Sequence, residues 1–190
     1  MDAKRLMDEV LAMLSTIRDD KHKLAILHEF MMDSIYEEPE KEEIPDRYKK
    51  IVQDMAGSLQ AGFICFFNPD TLEVEAIPKD LIEDPEEYEL ITGETWESEE
   101  RKHEDWEKSI EIAPLDSNES FKIMEHFTKQ VDNHHLQNKL ISALNNRRPF
   151  ANFKVLVENS EYREQWFEFR QKAYELYIWD LIQVDLEESD

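Results

Sequence analysis

The stretch that decides the fold is residues 150–181, FANFKVLVENSEYREQWFEFRQKAYELYIWDL. Its large apolar residues recur at steps of three and four, the spacing that places side chains on one face of a helix. The recurring set is Phe150, Phe153, Tyr162, Trp166, Phe169, Ala173, Leu176 and Tyr177. Asn159-Ser160 interrupts the pattern with residues that favour helix ends. The stretch therefore predicts two helices, each with one apolar face.

We expect these rings to lie in the protein interior and not to be arranged around a ligand. The same spacing in the preceding helices adds two further buried positions. The predicted core consists of Trp166, Phe169, Phe150, Phe153, Phe127 and Leu140.

Composition limits the classes of partner. The chain has 190 residues, of which 41% are apolar, enough for one sizeable core. It has 22 Lys and Arg residues and 45 Asp and Glu residues, which gives a net charge of −23. This charge repels phosphates and anionic membranes, so binding to nucleic acid or to a membrane is disfavoured.

The one cysteine and the N-terminal residues indicate a cytoplasmic protein. Cys65 lies in the apolar run FICFF, so it has no intramolecular disulfide partner and is expected to be buried in a strand. The first ten residues, MDAKRLMDEV, mix acids and bases without a continuous apolar run. They predict neither a secretory signal nor a membrane anchor.

The N-terminal part predicts a helical hairpin. Apolar residues at helical spacing predict helices over residues 2–17 and 21–35, and Asp19-Asp20 can cap the second helix. The domain organisation expected from these patterns is a helical hairpin at 1–36, an acidic linker at 37–44, an α+β core at 45–184 and an acidic tail at 185–190.

The core begins with a helix opened by Pro45 and ended by Gly57 or Gly62. Its expected buried side chains are Tyr48, Ile51, Val52 and Met55. A β-hairpin then follows at residues 63–77, with a type I turn at 68–71. The first strand, apolar on both faces, should be central. In the second strand, Leu72, Val74 and Ala76 should point inward while Glu73 and Glu75 meet water.

The rest of the core is expected to be mostly helical. Residues 78–108 predict irregular structure and short helices, anchored by Tyr88, Trp96 and Trp106. A short strand follows at 110–112, and Asp116 with Glu119 has the spacing of a capping box before a helix at 118–131. A further helix is expected at 135–145. Arg148 precedes a proline and should be extended. The predicted fold class is α+β: a small antiparallel sheet packed against the C-terminal helices, plus the N-terminal helical hairpin.

Three segments carry a resemblance to a known family. They are AGFICFFNPDTLEVEAIP, ESFKIMEHFTKQVDNHHLQNKLISALNNRRPFANFKVLV and REQWFEFRQKAYELYIWDL. Over roughly residues 45–181 the chain resembles uncharacterised protein family 0158 of bacteria. It departs from the family at Arg148-Pro149, where members tend to carry a Gly-Ala pair. The resemblance implies the same fold and a bacterial protein, but it supplies no reaction, cofactor or catalytic residue.

Histidines and carboxylates raise the possibility of a metal site. His126, His134 and His135 lie near one another in sequence, with Glu104, Glu125 and Asp132 as possible oxygen ligands. Their spacing matches no metal-binding motif, because His126 and His134 fall on different predicted helices. We therefore predict neither a metal ligand set nor a cofactor.

The remaining candidate site is a group of cations in an acidic chain: Arg147, Arg148, Lys154, Arg163 and Arg170. With Trp166 and Phe167 beside them, they could bind an anionic ligand or a protein partner through charged hydrogen bonds. The alternative is that they pair only with Glu158, Glu161, Glu164 and Glu168, three or four residues away.

These patterns favour a non-catalytic binding or adaptor protein. Two alternatives remain open at this point. One is a metal-dependent enzyme with a carboxylate and histidine site formed on folding; the other is an acidic nucleic-acid mimic that binds a basic protein.

Overall fold

The computed structural model describes residues 3–18, 20–34, 43–93 and 101–188. Contacts divide the chain into two compact units, Met1–Glu43 and Ile44–Asp190. Most of the expected acidic linker and Trp96 lie outside the described residues. No helix within the described ranges is both long and apolar enough to cross a membrane.

The first unit is a helical hairpin, as predicted. It consists of α1 (Ala3–Ile17) and α2 (Lys21–Ser34). Asp20 caps α2, because its carboxylate accepts a hydrogen bond from the Lys23 N–H at 3.1 Å.

The second unit has an α+β fold. Its elements are α3 (Asp46–Gln60), β1 (Phe63–Phe67), β2 (Val74–Pro78), α4 (Lys79–Glu83), α5 (Pro85–Thr92), a 3₁₀ turn (Lys102–Asp105), β3 (Ile110–Ile112), α6 (Ser117–Lys129), α7 (His134–Leu144), α8 (Pro149–Glu158) and α9 (Arg163–Glu188). The sheet formed by the described strands is antiparallel in the order β2-β1-β3, so the first strand is central, as predicted.

Local sequence signals account for several helix ends. Gly62, with φ 89°, follows α3 and turns the chain into β1. Asp116 and Glu119 form the predicted capping box at the start of α6, with hydrogen bonds of 2.7 and 2.9 Å. α9 continues to Glu188, past the predicted start of the acidic tail.

One hydrophobic cluster joins the sheet to α3 and to the second half of α9. Its fully buried members include Tyr48, Phe67, Ile112, Ile178 and Ile182. A second cluster joins α6, α7 and α8 to the first half of α9. Its buried members are Met124, Phe127, Val131, Leu140, Leu144, Phe153, Val157 and Trp166. α9 therefore contributes to both clusters, one along each half of its length.

The predicted environment of β2 is wrong. Val74 is 39% exposed and Ala76 is exposed, whereas the Glu75 side chain is largely buried. Val74 and Ala76 do share the face of their partners Phe67 and Cys65 in β1. However, β2 is an edge strand, so the elements that cover β1 leave Val74 and Ala76 exposed to solvent.

The predicted conformation of Arg148 is also wrong. Its φ of 58° and ψ of 54° are left-handed, not extended. The short connection between α7 and α8 requires this conformation and overrides the usual preference of a residue before proline. Asn152 Nδ2 closes the turn by donating to the Arg147 carbonyl at 2.8 Å.

Candidate functional site

A groove of about 220 Å³ lies between α6, α8 and α9. Each helix contributes three side chains to it. The lining residues are Ser120, Ile123 and Met124 from α6, Phe150, Phe153 and Lys154 from α8, and Trp166, Arg170 and Tyr174 from α9.

The floor of the groove is aromatic and tightly packed. The Phe153 and Trp166 rings meet edge to face, with centroids 4.9 Å apart. Phe127 packs against Trp166 with a centroid distance of 5.1 Å and against Phe169 at 5.5 Å. Phe127, Phe153 and Trp166 are buried and Phe169 is partly buried. These rings confirm most of the predicted core. Two of them, Phe153 and Trp166, also line the groove.

Phe150 is the exception to the predicted core, because it is 42% exposed. It lies on the same helical face as Phe153, but it belongs to the first turn of α8 and lines the edge of the groove. Its ring rests edge-on against Phe121, with centroids 6.4 Å apart. Phe150 therefore extends the aromatic surface from the floor toward solvent.

Arg170 brings a cation to this aromatic surface. Its guanidinium carbon lies 5.9 Å from the Trp166 ring centroid and 5.4 Å from that of Phe167. Its Nε atom is buried and has no hydrogen-bond partner among the described residues. A buried donor left without an acceptor costs roughly 1–3 kcal/mol. The Arg170 side chain is partly covered and lines the groove, so the rest of its guanidinium is the cation that an acceptor in the groove would meet.

The groove differs in charge from the rest of the protein. Its described lining residues include two cations, Lys154 and Arg170, and no carboxylate, whereas the chain as a whole has a net charge of −23. Lys154 is exposed, and its Nζ lies 3.9 Å from a Glu158 oxygen. Such an exposed, distant pair is weak. Lys154 therefore remains able to attract an anion at the rim of the groove.

The other predicted cations are outside the groove lining. Arg163 lies at the start of α9, where it contacts Glu164 at 2.5 Å and covers the Phe167 ring at 4.7 Å. Arg147 and Arg148 are exposed in the turn between α7 and α8. The interpretation that these cations only pair with nearby glutamates thus fits Lys154 and Arg163 in part and does not fit Arg170.

A second hollow, of about 180 Å³, lies between α6 and α7. Its lining includes both Glu125 and Lys129, together with amide side chains and Leu144. Because it mixes both charges, it lacks the cationic character of the first groove.

The residues considered for metal binding do not converge. His126, His134 and His135 are exposed, and the described ranges contain no group of three or more His, Cys, Asp or Glu side chains that could hold a metal ion. Cys65 is fully buried, and burial raises the pKa of its thiol to about 11, against a smaller lowering by a hydrogen bond to Ser58. A thiol with this pKa is a poor nucleophile.

Sequence reasoning did not find the contact between Glu75 and His103. The Glu75 Oε2 atom lies 2.5 Å from His103 Nδ1, and the carboxylate also accepts from the backbone N–H groups of His103 and Lys102 at 2.9 and 3.2 Å. The His103 ring stacks on Phe66 of the central strand, with centroids 3.7 Å apart. Burial acts to raise the pKa of Glu75, but these hydrogen bonds outweigh it and the pKa is lowered. The cluster fastens the 3₁₀ turn to the sheet.

The groove residues Tyr174 and Ser120 were also not predicted. A signal for Tyr174 does exist in the sequence. Trp166, Arg170 and Tyr174 follow one another at intervals of four, so a cation lies between two rings on one face of α9. No comparable signal marks Ser120, because its place in the groove depends on how α6 packs.

The groove lies within the part of the chain that has known relatives. Residues 96–186 match the model of an uncharacterised protein family, UPF0158. Among curated proteins, a UPF0158 protein of Pseudomonas aeruginosa is 28% identical over 78 residues, which is 40% of this chain and 51% of that protein. The chain thus aligns with about half the length of this relative. No solved structure gives a significant match. The expected resemblance is confirmed for residues 96–186, which contain every groove residue.

Proposed function

We propose that this protein is a non-catalytic binding or adaptor protein, and that its groove holds an acidic, apolar segment of a protein partner. One observation carries the proposal: among the described residues, the groove lining has two cations and no carboxylate, in a chain of net charge −23.

The two kinds of surface in the groove favour a ligand with two parts. The rings of Phe150, Phe153 and Trp166 offer an apolar wall for one aliphatic or aromatic side chain. The Arg170 guanidinium can donate two parallel hydrogen bonds to a carboxylate, each contributing roughly 1.5–3 kcal/mol. A short peptide segment with a bulky apolar residue next to Glu or Asp has both parts.

The lining favours binding over a reaction. The lining residues that the structure describes include no His, Cys, Asp or Glu, so none of these side chains is an ordinary general base. Ser120 supplies a hydroxyl, but a serine nucleophile needs a base within hydrogen-bond reach. The chemistry available in the groove is therefore charge pairing and apolar contact.

The lone buried thiol favours residence in a reducing compartment. Cys65 has no disulfide partner, and a bacterial cytosol is the setting we infer. The relative from Pseudomonas aeruginosa is a bacterial protein and is consistent with this inference.

The experiment compares two dipeptide probes that differ by one charge. N-acetyl-Phe-Glu-amide and N-acetyl-Phe-Gln-amide have nearly the same size, and their binding can be followed by the shift of the tryptophan indole N–H signals in NMR titrations. We expect the acidic probe to bind about tenfold or more tightly, because only its carboxylate pairs with Arg170.

Matched variants locate the interaction. Arg170→Gln should remove the preference for the acidic probe, whereas Arg147→Gln removes an exposed cation outside the lining and should leave it unchanged. Equal affinity for the two probes, or the same loss in both variants, would overturn the proposal.

A further inference from the structure

The helical hairpin carries more apolar surface than its own two helices cover. The side chains nearest the turn, Leu14, Ile17, Leu24 and Leu27, are partly buried. Other large apolar side chains on the same two helices are exposed to between 44 and 66% of their surface. They are Leu6, Met7, Val10, Leu11 and Met13 on α1, and Ile26, Phe30 and Met31 on α2.

The width of these apolar faces indicates more than one neighbour for each helix. At 100° per residue, the apolar positions of α1 spread over about 160° of the helix circumference, from Met13 through Val10 to Leu11. Those of α2 spread over a similar arc. A helix that contacts a single partner needs a narrower stripe, so each helix has apolar surface for a second contact.

Size leads to the same conclusion. The helices have 15 and 14 residues, and isolated helices of that length are marginal in water. Units below about 40 residues commonly need a disulfide, a metal or self-association for stability. The described hairpin contains no cysteine and offers no metal cluster, which leaves association.

Charge decides which partner fits. Residues 1–34 carry seven acidic and five basic side chains, a net charge of −2, whereas the whole chain carries −23. Two copies of the chain repel each other over most of their surface. The hairpin is the part where two copies can meet with little repulsion.

We propose that the hairpin docks on the hairpin of a second copy of the chain, forming a four-helix bundle with two-fold symmetry. In such an arrangement the same face serves both partners. The eight exposed apolar side chains of each copy would supply the apolar centre of the interface. Val10 and Phe30 become buried between copies, and the groove on the other unit is then present twice per assembly.

The experiment measures the mass of the full-length protein in solution by sedimentation, across concentration and salt. We expect a dimer whose dissociation constant falls as salt rises, because salt screens the repulsion between two highly negative chains while apolar contacts persist. A contact held by ion pairs would weaken with salt instead. A monomer at about 100 μM in high salt overturns the proposal.

Two variants identify the surface. Val10→Glu introduces a residue of higher helix propensity and places a charge in the proposed interface, so the dissociation constant should rise about tenfold or more. Leu90→Glu is the matched control, since Leu90 is an apolar residue of α5 that is 86% exposed in the other unit. Equal weakening in both variants, or a dimer that tolerates Val10→Glu, counts against the hairpin.

Helix content, followed by far-ultraviolet circular dichroism, distinguishes loss of docking from loss of the hairpin. Val10→Glu at a concentration where the wild type is dimeric should give monomers. Neutral Val10→Ala should weaken the dimer less than Val10→Glu while keeping helix content at least at the wild-type level. If Val10→Ala leaves the dimerisation constant unchanged, the side chain does not lie between copies and the proposal fails.

Discussion

The two halves of α9 differ in how completely the neighbouring elements cover them. We call the fully packed half closed and the half beside the groove open. In the second half, Ile178, Trp179 and Ile182 are buried against α3 and the sheet. In the first half, Trp166 is buried, but Phe167 and Arg170 are only partly covered and a groove lies beside them. One continuous helix therefore serves a packing role along one half and presents a candidate binding surface along the other.

An unpartnered donor occurs in each half, and its surroundings give it a different meaning. Trp179 Nε1 and Arg170 Nε are both buried without a hydrogen-bond partner among the described residues. Trp179 belongs to the closed cluster, where the donor simply costs stability. Arg170 Nε is as buried as Trp179 Nε1, but the Arg170 side chain as a whole is partly covered and lines the groove. Position beside a groove, not the unpaired atom alone, therefore makes Arg170 part of a candidate site.

The largest expected effect comes from removing a ring at the floor of the groove. Trp166→Ala should lower the free energy of unfolding by roughly 3–5 kcal/mol, because the side chain is buried against Phe127 and Phe153. Ile178→Ala, in the closed half, should cost roughly 2–5 kcal/mol. Only Trp166→Ala should also abolish binding of the acidic probe.

Chemical denaturation measures both costs, and NMR titration measures probe binding in the folded variants. If Trp166→Ala costs less than about 1 kcal/mol, its ring is a surface contact and the two halves do not differ as described. If Ile178→Ala impairs probe binding as strongly, the two halves act as one site.

A smaller effect is expected at the polar cluster on the sheet. Glu75→Gln should destabilise the protein by roughly 1–3 kcal/mol, because the carboxylate accepts hydrogen bonds from His103 and Lys102. The folded-state pKa of Glu75 lies below its ordinary value of 4.5. The stability it contributes is therefore present above about pH 4.5 and is lost as pH falls through the folded-state pKa.

Urea denaturation at several pH values checks this prediction. The difference between wild type and Glu75→Gln should be largest near neutral pH and shrink below about pH 4.5. Glu111→Gln is the control, since Glu111 is an exposed residue of β3 that lies opposite Phe66 of β1. A pH-independent difference, or an equal loss in Glu111→Gln, would show that the cluster does not hold the 3₁₀ turn.

The smallest effect on stability is expected for a substitution of Arg170, which should distinguish a binding role from a packing role. Arg170→Met keeps an unbranched apolar stem while removing a buried donor without a partner among the described residues, so the free energy of unfolding should stay within about 1 kcal/mol of wild type or rise. The lost cation–π contacts with Trp166 and Phe167 offset part of the gain.

Thermal unfolding and the probe titration, made on the same samples, test this combination. Arg170→Met should unfold at or near the wild-type temperature and bind the acidic probe at least about tenfold more weakly. A loss of more than about 2 kcal/mol in stability would mean that Arg170 has a structural role.

Much of the secondary structure follows from local signals. The capping box at Asp116 and the glycine after α3 each act over a few residues, so they can be found in sequence. The prediction of a single apolar face is wrong for the second half of α9, where Ile178, Trp179 and Ile182 are buried and the expected Ala173, Leu176 and Tyr177 are only partly covered. The errors arose where distant contacts decide. Glu75 is buried by a turn more than twenty residues away, and Arg148 adopts a left-handed conformation to connect two helices.

The candidate site was predicted only in part. The cations and rings were visible as a group, and Lys154, Arg170 and Trp166 do line one groove. Arg147, Arg148 and Arg163 do not, because closeness in sequence does not place residues on one surface when they lie in different turns and helix faces. Phe150 has the spacing of a core residue, yet it stays 42% exposed, because contact with Phe121 of α6 covers only part of its ring.

The sequence by itself determined the α+β class, the order of the helices and strands, and the acidic charge. These properties depend on spacing and composition, which are local and additive. Only the tertiary structure decided that α9 serves two clusters, that α6 closes one side of a groove, and that Arg170 faces a space with no acid. Those features depend on which helix faces meet, and this is set by packing between residues far apart in the chain.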